Sequence, residues 1–186
     1  MSKYLLMTDG SSVSANNKTG FDAAAAYILV KDNKLIHKES ILLKDHTNNY
    51  AEMYAIYKGT KYIVENNNID VDELIIVTDS QLCQKSLTCW MANWLKNTDN
   101  EVLKSSTGLV KNQELIKSTY INILQIEMYV PVSVCHINSH VPESKVDELY
   151  KKFTREFPDI SFNEFMLMYK ANQECDKMAY EELIKK

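Results

Sequence analysis

The chain has 186 residues, 45% of them apolar and 25% charged, which fits one domain, 1–186, with a core large enough to need no disulfide staples. Twenty-five acidic residues against 21 basic ones leave a net charge of −4, which excludes an overall basic footprint for nucleic acid but not a local basic track. No apolar run approaches the roughly 20 residues of a membrane span, and the run after Met1-Ser2-Lys3 reads as a strand, not a secretory signal, so a monomeric cytoplasmic protein without membrane contact is expected.

Residues 3–8 (KYLLMT) predict a short buried strand closed by Asp9, and 9–22 (DGSSVSANNKTGFD) a turn-rich loop. The runs 23–30 (AAAAYILV) and 34–43 (KLIHKESILL), split by Lys31-Asp32-Asn33, predict a hairpin. The four alanines there leave room for close packing against a helix. Apolar spacing of three and four predicts a helix over 50–65, and the continuous run 73–78 (ELIIVT) a strand buried on both faces. Two short helical segments follow in 80–96, a loop in 97–110, a helix in 111–127 and a strand in 129–137. The tail is helical. Val146, Leu149, Tyr150 and Phe153 share one stripe, and Ser161 with Glu164 forms a capping box for a helix running towards 184. This order predicts an α/β fold with a mixed sheet whose antiparallel part is the hairpin.

Two carboxylates sit at strand ends, Asp9 and Asp79, and Glu52 lies in the first turn of the helix between them. Parallel neighbouring strands would bring Asp9 and Asp79 out at one edge of the sheet, where the sites of open α/β folds collect. Each also has a plainer reading: Asp9 starts a turn, Asp79 caps a helix, and Glu52 is the reciprocal partner of Asn49 in a capping box. Against the last, Ile56, Gly59 and Ile63 follow Glu52 along a stripe that would pack on the sheet. Three adjacent carboxylates repel one another unless a cation lies among them, and hard Mg²⁺ prefers oxygen ligands. Asp176, one turn after Asn172, reads by pattern alone as an exposed helical residue. Cys83, Cys89, Cys135 and Cys175 have neither CxxC spacing nor ligand-like spacing to histidine, so reduced thiols are expected. No Gly-rich phosphate loop follows either strand, which disfavours a nucleotide-binding protein.

The segments MTDGSS (7–12), TNNYAEMYA (47–55), VTDSQ (77–81), SLTCWMANWLKN (86–97), LVKNQELI (109–116), HINSHV (136–141) and NQECDKMA (172–179) resemble, in order, the motifs of type 1 ribonuclease H. The resemblance implies a five-stranded sheet of order 3-2-1-4-5 with strand 2 antiparallel. It also implies hydrolysis of the RNA strand of RNA–DNA hybrids with two Mg²⁺, for which Mn²⁺ substitutes, giving 5′-phosphate and 3′-hydroxyl ends. By it Asp9, Glu52, Asp79 and Asp176 are metal ligands, and His140 is the loop histidine that aids proton transfer or product release, with His136 as its substitute. Gly10, Ser11, Asn48, Asn49 and Gln81 become substrate contacts. Thr47 is either a helix cap or a phosphate contact. Trp90 and Trp94 lead into a substrate-gripping protrusion, with core packing as the plainer role of at least one.

Two departures follow. The protrusion offers Lys96 and Lys104 against Asp99 and Glu101, so grip there should be weak and salt dependence shallow. Thirty-five residues separate His140 from Asp176, and 141–171 reads as a helical insertion: a layer over the core in the first place, otherwise a substrate clamp or a partner surface. The rival functions are a related nuclease with another substrate and a catalytically impaired nucleic-acid-binding protein.

Overall fold

The computed structural model describes residues 2–14, 21–66, 69–98, 102–138 and 141–185. Three strands open the chain as a meander: β1 (Lys3–Ser14), β2 (Phe21–Lys31) and β3 (Lys34–Leu43). Asp32 and Asn33, with φ of 47° and 65°, form the two-residue turn between β2 and β3; short polar side chains tolerate this left-handed backbone. Helix α1 (Asn48–Asn66) then crosses to β4 (Glu73–Thr78). Next come α2 (Gln81–Lys85), a π-helical turn (Ser86–Trp90), α3 (Met91–Lys96), a small hairpin of β5 (Lys104–Ser105) and β6 (Gly108–Leu109), and α4 (Gln113–Glu127). Strand β7 (Val132–His136), a 3₁₀ turn (Glu143–Lys145), α5 (Val146–Phe153) and α6 (Phe162–Ile184) complete the chain.

The main sheet has five strands in the order β3-β2-β1-β4-β7. β2 runs antiparallel to both neighbours, while β1, β4 and β7 are parallel. This is the expected 3-2-1-4-5 arrangement, with β7 as the fifth strand.

Strand periodicity divides the core. Leu6, Tyr27, Leu29, Leu74 and Ile76 face α1 and α4, meeting Met53, Ile56, Ile63, Ile116 and Ile123. Their neighbours Leu5, Met7, Ile28, Ile75 and Val77 face the opposite way, into Phe165, Met168 and Cys175 of α6 and Val146 and Phe153 of α5. The alanine run is fully buried on both faces. Ala23 and Ala25 meet Ala51 and Ala55 of α1, and Ala24 and Ala26 lie in the α6 layer. The stripe predicted for α1 packs as expected: a Cβ on Gly59 would stand 2.5 Å from Leu6 Cδ1, so helix and strand approach this closely only with glycine there.

Three local expectations change. β1 does not stop at Asp9; it continues to Ser14 because β2 keeps pairing with it, Asp9 opposite Ala26 and Ser12 opposite Ala23. The 80–96 region is one rod, its two helices joined through the π turn. The 97–110 loop contains the β5–β6 hairpin, turned through Ser106 and Thr107, with Gly108 at φ 123° opening β6. The capping box at Ser161 and Glu164 is present and α6 runs unbroken through Asp176. Among the described residues no helix is long and apolar enough to cross a membrane.

Candidate active site

The parallel ladder of β1 and β4 ends at the pair Thr8–Thr78, so Asp9 and Asp79 are the next residues on adjacent strands. Asp9 is 3% exposed and its Oδ1 accepts from its neighbour's N–H, Gly10, at 2.6 Å; its Oδ2 is buried without a hydrogen-bond partner. Burial pushes the Asp9 carboxyl up to about 9, and the nearby charges of Asp79, Asp176 and, more weakly, Glu52 push in the same direction, against the Gly10 hydrogen bond. Three of the four predicted carboxylates therefore act electrostatically on the fourth.

Glu52 enters from α1. A Cβ on Gly10 would lie 2.3 Å from the Glu52 backbone nitrogen and 2.9 Å from Ala51 Cβ, so the missing side chain is what lets α1 bring Glu52 against β1. Asn48 Nδ2 donates to Glu52 Oε1 at 2.8 Å, and the Ser80 hydroxyl donates to the same carboxylate. Burial raises the Glu52 carboxyl, and these two hydrogen bonds hold part of that rise back. The capping-box role is not the one Glu52 takes: Thr47 Oγ1 accepts from Tyr50 N–H at 3.4 Å, and Glu52 faces the site. Nor does Asp79 cap α2, since Ser80 does so by accepting from Cys83 N–H.

Asp176 is half-buried on α6. The helix is fastened beside Asp9 by Asn172 Nδ2, donating to the Thr8 carbonyl at 3.1 Å, and by Cys175 Sγ, donating to the Met7 carbonyl at 3.4 Å. The His136 ring lies 3.0 Å through Nε2 from the Asp79 carbonyl. His140 lies outside the described residues, as do Asp99 and Glu101. Among the described residues no three His, Cys, Asp or Glu side chains converge closely enough to grip a metal as they stand.

Ser80, Asn172 and Cys175 are the participants the sequence reading left aside as actors. By sequence the cap that Ser80 forms falls to Asp79, Asn172 shows only as the residue one turn before Asp176, and Cys175 only as a thiol.

Of the expected substrate contacts, Gly10 is buried beneath Glu52, Ser11 is half-buried on β1 and Gln81 is exposed at the start of α2. Asn49 and Thr47 line a groove of about 960 Å³, together with Trp90, Trp94, Lys104 and Lys111. Trp90 is 37% exposed and Trp94 only 9%, their rings 5.7 Å apart, so Trp94 supplies the core and Trp90 the groove wall. The groove leads from the α1 N-terminus to the β5–β6 hairpin.

A family model described as RNase H matches residues 1–155. Ribonuclease H of Rickettsia akari is 30% identical over 119 residues, 64% of this chain and 70% of that protein. Ribonuclease H of Treponema denticola is 33% identical over 59% of this chain and 71% of its own length. The solution structure of the PFV RNase H domain covers 97% of this chain and 93% of its own, with a TM-score of 0.64 at 19% identity. LC9-RNase H1, described as a type 1 RNase H with the type 2 active-site motif, covers 91% of this chain and 84% of its own at a TM-score of 0.59 and 11% identity. At these identities the two structures share the fold.

Proposed function

This chain belongs to the type 1 ribonuclease H family, and we propose that it is an endoribonuclease cutting the RNA strand of RNA–DNA hybrids. What supports the reading is that Asp79, Asp176 and Glu52 all act electrostatically on Asp9, one of whose carboxylate oxygens is buried without a hydrogen-bond partner.

The donor set fits a hard divalent cation. It is all oxygen, it carries excess negative charge, and one of its oxygens lies buried where only a cation or a proton would satisfy it. Asp9, Glu52, Asp79 and Asp176 would hold two Mg²⁺. The chemistry two such cations would supply there is activation of a water and stabilisation of the departing 3′-oxygen.

The protein's own part is positioning. Asn48 and Ser80 favour the ionised form of Glu52 and aim it, and Asn172 and Cys175 fix α6 so that Asp176 stays beside β1. His140 takes the proton-relay role, since an imidazole can both accept and donate a proton. Asn49 and Thr47 in the groove suit contact with the sugar and phosphate backbone, and Trp90 offers an apolar face to a sugar. Recognition through backbone and 2′-hydroxyls carries no sequence information, so little sequence preference is expected. The products are 5′-phosphate and 3′-hydroxyl ends.

The test is incubation with end-labelled RNA–DNA hybrid, double-stranded RNA and single-stranded RNA, in Mg²⁺ and in Mn²⁺, beside an Asp9→Asn variant. Metal-dependent cutting of the hybrid's RNA strand alone, lost in the variant, is the expected result. Folded protein that cuts nothing in either metal would refute the reading.

A further inference from the structure

Val141 and Tyr169 join two parts of the molecule that the catalytic assignment leaves separate. Tyr169 lies on α6, two turns before Asp176, and is 3% exposed. Its hydroxyl donates to the Val141 carbonyl at 2.5 Å and accepts from Gln173 Nε2 at 3.0 Å. On the other side Ile137, 1% exposed, donates its N–H to the Thr78 carbonyl at 3.0 Å. In sequence only Asn138, Ser139 and His140 lie between these two anchors. One anchor is the strand that leads to Asp79 and the other is the helix that bears Asp176.

The ring of Tyr169 is itself held from behind. It stacks on Phe165 with centroids 6.5 Å apart, and Phe165 packs against Tyr150 and Phe153 of α5 at 5.3 and 5.2 Å. Tyr150 in turn donates its hydroxyl to the Ile160 carbonyl at 3.1 Å, closing the turn between α5 and α6. Phe165 and Tyr169 lie beyond the residues that the family model matches.

We infer that Tyr169 is a positioning residue whose hydroxyl fastens the chain just after His140 to α6, its ring backed by Phe165. The inference rests on the hybrid-cleaving reading above. Fixing the Val141 carbonyl to α6 and the Ile137 N–H to the Thr78 carbonyl removes backbone freedom at those two residues, an entropy cost met on folding and not during turnover.

The test compares Tyr169→Phe, which keeps the ring and removes the hydroxyl, with Tyr150→Phe, which removes a hydroxyl from the same layer without touching Val141. Backbone amide exchange of the 137–142 stretch should accelerate about 5- to 10-fold in Tyr169→Phe, the opening expected from one lost hydrogen bond. Its kcat on the hybrid should fall about 10-fold, part of the gain a placed proton-transfer group provides, with KM within about twofold. Tyr150→Phe should change neither. Unchanged exchange in Tyr169→Phe, faster exchange with unchanged kcat, or an equal fall of kcat in Tyr150→Phe would each overturn the proposal. Should the wild-type protein cut no hybrid, the parent reading fails, and the exchange comparison still decides whether the tether exists.

Discussion

Asp9 and Asp79 stand side by side because each is the first residue past Thr8–Thr78, the last pair of the parallel ladder between β1 and β4. The two then part company. Asp9 stays in the sheet, still paired with Ala26 of β2, while Asp79 leaves it, its carbonyl 3.0 Å from His136 Nε2 at the end of β7. One carboxylate is thus rigid and buried, and the other sits at the mouth of a strand where the chain turns into a helix. If both carboxylates hold cations as proposed, Asp9 is the one whose position the sheet fixes.

That burial has a thermodynamic consequence for Asp9 itself. Its folded-state carboxyl is raised to about 9, far above the ordinary value near 3.8. A raised folded pKa means the contribution to stability is complete below the ordinary pKa and lost as pH rises towards about 9. Asp9→Asn, which cannot ionise, should therefore stabilise the metal-free protein at pH 7–8 by on the order of 1–3 kcal/mol, a few degrees in Tm. The advantage should vanish below about pH 4, where the carboxyl of the unfolded wild type is protonated as well. Thermal unfolding in chelator across this range checks it. Added Mg²⁺ should raise the Tm of the wild type and leave the variant almost unmoved, while cleavage by the variant is abolished.

Gly10→Ala tests the contact that seats Glu52. The added Cβ would meet backbone atoms at 2.3 and 2.7 Å, Glu52 N and Ala51 C, neither of which belongs to a flexible side-chain end. β1 and α1 must separate, at an expected cost of about 1–3 kcal/mol. Because the displaced residue is Glu52 itself, activity should fall further than Tm suggests, at temperatures where the variant remains folded. Circular dichroism melting beside hybrid cleavage reads both. A variant with wild-type Tm and rate would show that the close approach is not required.

Periodicity carried most of the fold in the sequence. The alternating apolar residues of β1 and the unbroken run of β4 declared a sheet buried on both faces, and Ile56, Gly59 and Ile63 declared the face of α1 that packs on it. The carboxylates were legible as positions, by strand ends and ordered motifs. Their mutual electrostatics were not, since those depend on burial. The end of β1 was misread because DGSSVS has turn composition, and only the partner strand, supplied by a run of alanines with weak strand preference, keeps it extended. Ser80 was missed both as the cap of α2, a role read onto Asp79, and as a donor to Glu52, because one hydroxyl serves two elements that meet only in three dimensions.

The double duty of Ser80 can be separated by substitution. Ser80→Ala loses the cap, worth about 0.5–2 kcal/mol, and also the hydrogen bond that stabilises ionised Glu52. Asn48→Ala loses only the second kind of contact. Removing a donor to a carboxylate raises its pKa, so in both variants the acidic limb of kcat/KM against pH should move to higher pH. Ser80→Thr, which keeps the hydroxyl, should restore the limb. If Ser80→Ala lowers Tm while its acidic limb stays with the wild type, the serine is a cap alone.

The groove predicts how the protein holds nucleic acid. Among the described residues that line it, Lys104 and Lys111 are the basic ones, alongside Thr47, Asn49 and a chain of polar groups towards the hairpin. Counter-ion release scales with the number of phosphates neutralised, with a slope of about −0.9 per contact for B-form duplex. Two lysines therefore predict a plot of log K against log salt with a slope of roughly −2, far shallower than a strongly basic site would give. Anisotropy of a labelled hybrid, measured with Asp9→Asn so that nothing is cut, gives this slope directly. Lys104→Ala and Lys111→Ala should each reduce it by about one and weaken binding alike for all sequences. Trp90, 37% exposed in the groove wall, should report the same event by a change in fluorescence that Trp90→Phe removes, whereas Trp94, 9% exposed, should contribute little to the signal. A slope near −5 or steeper would mean that the hybrid engages basic residues well outside this groove, and the assignment of the groove as the principal track would fall.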